Sequence, residues 1–287
     1  MFKRKQEKNI SDQEAMKSLP HNRKEVFFDL LSHRKMTLFA LSCFTFMFFI
    51  PLAVDLFVFN YFEGAAIAAD KKEYLFSLVF YSMLIMLPCM IIGFIGFAGA
   101  FYTAKRLVWQ EDISLAIDFF QGIKENWRQA ILNGFIFGLF LFGMVVGSLY
   151  LVIYMQSQPI LLGVGIGALI LFFLMFGMVI ALNFAQMVYY DNGFLPTMKN
   201  SFCLLGLLNW KVFVLFLLST GGVIALCCFN LITLAIGMLL FAILNSVIIV
   251  LYTLISHRGF DQFINKEHYP EMVNKGLYKK TCDDKEA

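Results

Sequence analysis

Charge is what this chain lacks over most of its length. From residue 212 to residue 256 there is no Asp, Glu, Lys, Arg or His, and further long apolar tracts, interrupted only by Asp55, cover 36–60, 75–103 and 130–190. Only 15% of the 287 residues are charged and 60% are hydrophobic, against ~25% charged in an ordinary soluble domain. A water-exposed surface of that composition would aggregate. The runs instead match the ~20 apolar residues that a helix needs to cross a bilayer. The expected fold class is an all-α polytopic membrane protein, with lipid as the solvent for most of its surface.

Other absences narrow the function. No HExxH, GxSxG, GxxxxGK[ST] or GxGxxG motif occurs, so the usual hydrolase, nucleotide and dinucleotide sites are not signalled. His21, His33, His257 and His268 all lie outside the apolar tracts, and only Asp55 is ionisable within one. Proton- or ion-coupled transport needs partnered charges at the midplane, and acid–base chemistry needs a positioned pair. Neither is visible. The six cysteines, including the adjacent Cys227 and Cys228, show no metal-ligand spacing and no disulfide framework, so packing is their expected role. No cofactor is expected. The basic residues flank apolar runs and form no groove with polar readers, so nucleic acid is not an expected partner; the lipid bilayer is. Residues 1–22 are polar and charged, giving the expectation of no cleavable signal peptide.

The apolar pattern predicts six transmembrane helices near 36–60, 75–104, 131–155, 159–188, 211–229 and 231–256. The last two are divided at Cys228-Phe229-Asn230, because a turn at Gly221-Gly222 would leave too short a first segment. Nine Lys and Arg precede the first span, four lie between spans two and three, two between four and five, and six follow the last. The other side holds Lys71 and Lys72. The positive-inside rule then places both termini in the cytoplasm of a plasma-membrane protein. Three regions follow: a charged N-terminal segment at 1–22, partly disordered; a membrane domain at 23–256; and a polar cytoplasmic tail at 257–287, partly disordered or folded over the cytoplasmic mouth.

Within the spans, Asp55 is placed near the outer end of the first helix. Two roles are open for it, a solvated or capping position and a pore or substrate contact. Asn183, Gln186 and Asn245 are candidate functional or packing residues, with inter-helix hydrogen bonding as the simpler role. Pro51 and Pro88 are expected to bend spans one and two. Gly93/Gly96/Gly99, Gly163/Gly165/Gly167 and Gly221/Gly222 would let helices approach closely. The 34 Phe are read as lipid-facing and inter-helix filling.

Residues 112–131 are amphipathic. Ile113, Ala116, Phe120, Ile123, Trp127 and Ile131 form one face; Ser114, Asp118, Gln121, Glu125 and Gln129 form the other. This predicts a helix lying in the interface, with Asp112 as N-cap and Trp127 and Arg128 as anchors. A similar layout follows span four: Val108-Trp109-Gln110-Glu111-Asp112 is matched by Val188-Tyr189-Tyr190-Asp191-Asn192, and Asn126-Trp127-Arg128 by Asn209-Trp210-Lys211. Trp210 and Lys211 are the second pair of anchors. A fainter third copy is Phe27-Phe28-Asp29-Leu30-Leu31 before Arg34-Lys35. The expectation is three units, each a cytoplasmic interfacial helix followed by a transmembrane hairpin. The alternative is that interface chemistry recurs independently before each span.

The run Gly96-Phe97-Ala98-Gly99-Ala100-Phe101-Tyr102-Thr103-Ala104-Lys105-Arg106-Leu107-Val108, then Glu111-Asp112, Asp118-Phe119-Phe120 and Ile123-Lys124-Glu125-Asn126-Trp127-Arg128-Gln129, resembles the YesL family of bacterial integral membrane proteins. The close match covers about 35 residues. The family has no established biochemical activity. The resemblance implies an association with carbohydrate uptake in Gram-positive bacteria, with ABC transporter subunits as partners, and transfers no catalytic residue. The resulting expectation is a non-catalytic membrane protein accessory to a transport system. The alternative is a transporter or channel for a neutral or amphiphilic solute, which requires a polar cavity holding Asn183, Gln186 or Asn245.

Overall fold

A computed structural model of the chain describes residues 20–68, 73–155, 157–207, 214 and 230–278. Its helices are α1 (Arg23–His33), α2 (Lys35–Ala68), α3 (Glu73–Val108), α4 (Leu115–Tyr154), α5 (Pro159–Tyr189), α6 (Phe194–Leu207) and α7 (Leu231–Phe260). A π-helical stretch at Asp261–Asn265, a short helix α8 (Lys266–His268) and a 3-10 turn at Pro270–Met272 follow. The described residues contain no strand. Five helices, α2, α3, α4, α5 and α7, are long and apolar enough to cross a membrane. The expected fifth span at 211–229, with Trp210, Lys211 and most of the turn before Asn230, lies outside the described residues.

Local chemistry sets the helix ends. The Asn22 side chain accepts from the Lys24 and Glu25 amides at 3.0 Å each, opening α1. Pro159 occupies the first turn of α5, where no amide donor is needed. Asn230 and Thr233 form a reciprocal capping box at the start of α7, with bonds of 2.9 and 3.1 Å. This accounts for an asparagine just before the final apolar run. Helices α2 and α3 continue through Pro51 and Pro88.

The expected interfacial helix before span three is corrected. Residues Leu115–Tyr154 form one continuous helix of 40 residues, about 60 Å long at ~1.5 Å per residue. No proline falls between Pro88 and Pro159, so nothing ends the helix between its amphipathic start and its apolar remainder. Its N-cap is Ser114, not Asp112. Its faces also differ from the amphipathic reading. Asp118 and Asn126 are buried with Phe119, Gly122 and Ala130, while Phe120 and Trp127 are exposed toward the surroundings. The equivalent segment after α5 is a separate helix, α6. Helices α1, α4 and α6 each bury the fourth and eighth residues from their start: Val26 and Leu30, Asp118 and Gly122, Thr197 and Ser201.

Helix α3 is central, packing on α2, α4, α5 and α7. Its most extensive partner is α4, across the boundary between the first two expected hairpins. Glycine explains the closeness. A Cβ on Gly93 would meet the Phe49 ring at 2.6 Å, and one on Gly99 would meet the Phe119 carbonyl at 2.6 Å. The second glycine patch differs: Gly163 and Gly167 face open space, and Gly165 approaches only Leu151. An aromatic column fills the centre, with Phe184 stacked on Phe101 at 5.6 Å and set against Phe94 at 5.3 Å. Such ring pairs add about 0.5–1.5 kcal/mol each beyond burial.

Candidate functional site

The ends of α1, α3, α5 and α7 meet at one level, and most of the described buried charge gathers there. Arg106, near the last turn of α3, reaches down the loop to three partners. Its Nε donates to Glu111 Oε2 at 2.9 Å, its Nη2 to the Asp112 carbonyl at 2.9 Å, and its Nη1 to Asp118 Oδ1. Asp118 Oδ2 also accepts from the Ser114 amide at 2.8 Å. The loop between α3 and α4 is therefore wound around one guanidinium. Its five rigid donors suit that task, where a single ammonium would not reach all three acceptors. Gln110 takes a left-handed backbone at φ 57° to make the turn. From α1's side, Arg34 donates to the Glu111 carbonyl at 3.3 Å.

A second cluster lies beside the first. His257 is fully buried at the end of α7, and Trp109 Nε1 donates to its Nε2 at 3.1 Å. Asp261 Oδ2, one helical turn on, accepts from Arg23 Nη2 at 3.0 Å and lies 3.2 Å from His257 Nδ1. The C-terminal segment closes over this group. The Asn274 amide donates to Asp261 Oδ2 at 3.3 Å, and Arg23 Nη1 donates to the Lys275 carbonyl at 3.1 Å. Lys275 Nζ sits 3.6 Å from the Trp109 ring centroid and donates to Glu111 Oε1 at 3.0 Å, joining the two clusters. Lys105 donates to the Val188 carbonyl at 2.5 Å, with its amine near the Trp109 and Tyr102 rings.

Burial opposes charge on Glu111, but hydrogen bonds from Lys275 and Arg106 outweigh it and hold its carboxyl below the ordinary range. Its contribution is complete above the ordinary glutamate value and fades only as pH falls through the lower folded value. Burial, with Asp261 and Tyr269 close by, pushes the Tyr190 phenol up. Tyr190 therefore serves as a donor, to Asn265 Oδ1 at 2.6 Å.

Gly276 seals the C-terminal segment against α3. It has φ +81°, and a Cβ there would lie 2.6 Å from the Val108 carbonyl. Gly276→Val is expected to destabilise docking of residues 270–278 by about 1–3 kcal/mol, the usual cost of forcing a side chain into that backbone region. Limited proteolysis of the purified protein checks this, with faster cleavage in the tail and unchanged cleavage elsewhere.

The polar residues singled out within the spans are placed differently. Asp55 is buried in the middle of α2, not at a solvated end, because α2 runs on to Ala68; it accepts from Ser82 Oγ at 3.3 Å across the α2–α3 contact. Asn183 and Asn133 face each other at 3.4 Å between α5 and α4. Gln186 donates to Ser201 Oγ at 2.8 Å, tying α5 to α6. Asn245 is buried on α7 beside a serine clasp, in which the Ser246 amide donates to Ser42 Oγ at 2.9 Å and Ser246 Oγ donates to the Leu38 carbonyl at 2.7 Å. Asn183 also donates to Met198 Sδ at 3.6 Å, so it and Gln186, three residues apart on α5, both bond to α6; Asp55 and Asn245 lie on other helices, α2 and α7. Trp127 and Arg128 are exposed neighbours, the guanidinium 5.3 Å from the ring centroid, while Trp210 and Lys211 lie outside the described residues.

Two open surface cavities are described: one of 340 Å3 at the start of α5, lined by Gln158, Pro159, Ile160, Leu161 and Val164, and one of 480 Å3 between α4 and α5, lined by residues including Leu151, Leu169 and Phe172. Neither touches Asn183, Gln186 or Asn245. Among the described residues no group of three or more His, Cys, Asp and Glu could hold a metal.

Sequence reasoning missed the cluster at the helix ends. His257 and Asp261 stand four apart just after the last apolar run, one helical turn, and Trp109 follows Lys105-Arg106. Those spacings were visible; that Arg23, 238 residues from Asp261 in sequence, completes the group was not. No protein-family profile, curated protein or solved structure matches the chain.

Proposed function

We propose that this chain is a non-catalytic integral membrane protein accessory to a membrane transport system, lying in the plasma membrane with both termini in the cytoplasm. The observation that carries the reading is how the polar side chains in the membrane region are used. Asp55, Asn133, Asn183 and Gln186 are buried between helices and bonded across them, which is the ordinary means of fixing helix pairs in lipid. A conduit for a neutral solute needs such groups to line a continuous polar space. The two cavities described above lie away from them, which supports the packing role for these groups.

Two further features support an accessory role. Few residues of the most apolar stretch of α4 are fully buried, and Leu132, Phe135, Leu139, Tyr150, Ile153 and Tyr154 are exposed, leaving an apolar face for lipid or a membrane partner. The buried charges described at the helix ends pair with one another and fix loops. The resemblance to the YesL family adds carbohydrate uptake in a Gram-positive bacterium as the context, with ABC transporter subunits as the partners to look for.

Mild-detergent purification of the tagged chain from its native host tests the reading. Transporter subunits are expected to co-purify, and a deletion strain is expected to grow more slowly on the affected carbon source. Recovery of this polypeptide alone, with unaltered growth on every carbon source, would overturn it. A reporter fused to the C-terminus checks orientation and should be active only on the cytoplasmic side.

A further inference from the structure

His257 occupies a position in which a second ring proton has no place. Trp109 Nε1 is a donor only, so the lone pair it meets at 3.1 Å must belong to His257 Nε2. The ring proton is therefore on Nδ1, which donates to Asp261 Oδ2 at 3.2 Å. Arg23 Nη2 donates to the same oxygen at 3.0 Å. Arg23 Nη2, itself a donor only, also lies against His257 Nδ1, so both ring nitrogens meet donor groups and Asp261 Oδ2 is the acceptor that the single ring proton can reach. The Asn274 amide takes the same oxygen as well. One carboxylate oxygen thus joins α1, α7 and the C-terminal segment, and a neutral imidazole completes the ring of contacts through Trp109.

We propose that residues 261–278 form a strap latched over the helix ends by Arg23, Trp109, His257 and Asp261, and that protonation of His257 releases it. A proton on Nε2 would face the Trp109 N–H donor to donor, and the new positive charge would stand beside Arg23. Every element packed here contributes to the balance. Arg23 from α1, Lys105 from α3 and Lys275 from the strap are cationic; Glu111 from the loop and Asp261 are anionic; Tyr189 from α5 is uncharged and packs its ring 5.1 Å from the imidazole. Asp261 favours an imidazolium, but its nearer oxygen is already shared with Arg23 and the Asn274 amide. Trp109 is the common element: it faces His257 through its N–H and Lys275 through its ring, so displacing it loosens the strap directly.

Only the released state has room for the extra proton. The latched state is therefore fully favoured above the ordinary histidine value of ~6.5 and loses ground as pH falls below it, by up to about tenfold per pH unit for one proton. Glu111 and Asp261 are carboxylates, which ordinarily titrate below about pH 5, so the two ranges are separable.

The experiment uses the full chain in lipid nanodiscs. A spin label is placed at exposed Glu271 (Glu271→Cys in a background with the native cysteines replaced), and spectra are taken from pH 8 to pH 5. An immobilised label is expected at pH 8, with the mobile-to-immobile ratio rising by up to about tenfold per unit below ~6.5. His257→Gln, which can accept from Trp109 and donate to Asp261 without titrating, is expected to stay immobilised throughout. Trp109→Phe removes the opposing donor and should flatten the pH dependence at least severalfold, which keeps the test intact if the glutamine variant does not fold. An unchanging wild-type spectrum overturns the proposal, as does the same transition in His257→Gln or in Trp109→Phe.

Discussion

Gly99→Leu is expected to force α3 and α4 apart and to lower the stability of the purified protein by about 3 kcal/mol or more. Overpacking a well-packed core commonly costs about 1–3 kcal/mol because neighbouring side chains shift. Here the nearest obstacle is backbone: a Cβ on Gly99 would lie 2.6 Å from the Phe119 carbonyl and 3.1 Å from Ile123 Cγ1. A carbonyl inside a helix cannot turn aside as a side-chain end can. Gly122, which faces the Tyr102 side chain and Gly99 Cα across the same crossing, should respond in the same way. Gly167→Ala is the control. Nothing lies within 4 Å of a Cβ at that position, and alanine is the better helix former by about 1 kcal/mol, so stability is expected to hold or rise slightly. Unfolding in mixed detergent, followed by circular dichroism, measures all three. An unchanged midpoint in Gly99→Leu would mean that α3 and α4 do not cross there.

Arg106→Met is expected to cost about 3 kcal/mol, the lower part of the range for removing one partner of a buried ion pair. The charge left behind, on Asp118, has a side chain only 3% exposed, whereas Arg106 is 27% exposed and reachable by water, which moderates the loss. Removing both partners should be less harmful than removing the arginine alone. Arg106→Met/Asp118→Leu is expected to recover about 1–2 kcal/mol of the single-variant loss, within the usual range of coupling between contacting residues. Strict additivity in that cycle would show that the two groups do not form a pair. The result also bears on the loop before α4, since the same guanidinium holds Glu111 and the Asp112 carbonyl. A loosened loop should raise protease sensitivity between residues 109 and 114.

The fold was legible in proportion to how strongly lipid excludes charge. Apolar stretches longer than a bilayer is thick, broken only by Asp55, leave few alternatives, so the positions of α2, α3, α5 and α7 follow from composition, with ends shifted by up to eight residues. The start of α4 was legible as a helix but not as part of the following span, because amphipathicity marks a face and says nothing about continuity. Its buried face was misread for a related reason. Hydropathy ranks Asp118 and Asn126 as surface residues, yet α3 supplies Asp118 with a guanidinium and Asn126 satisfies itself on the Gly122 carbonyl at 3.0 Å. Depth counted from Lys35 puts Asp55 near the outer end of its span, about one bilayer crossing along, but α2 continues to Ala68 and leaves it well inside the helix.

By itself, then, the sequence determined that the chain is helical, apolar enough for lipid and marked with cations at the edges of its apolar runs, because the cost of placing ions in hydrocarbon acts residue by residue and needs no partner. Which glycines are crossings, which amides pair, and that Arg23, Trp109, His257, Asp261 and Lys275 close one cluster was decided only by tertiary structure. Those properties depend on residues brought together from distant parts of the chain, and no local pattern records the meeting.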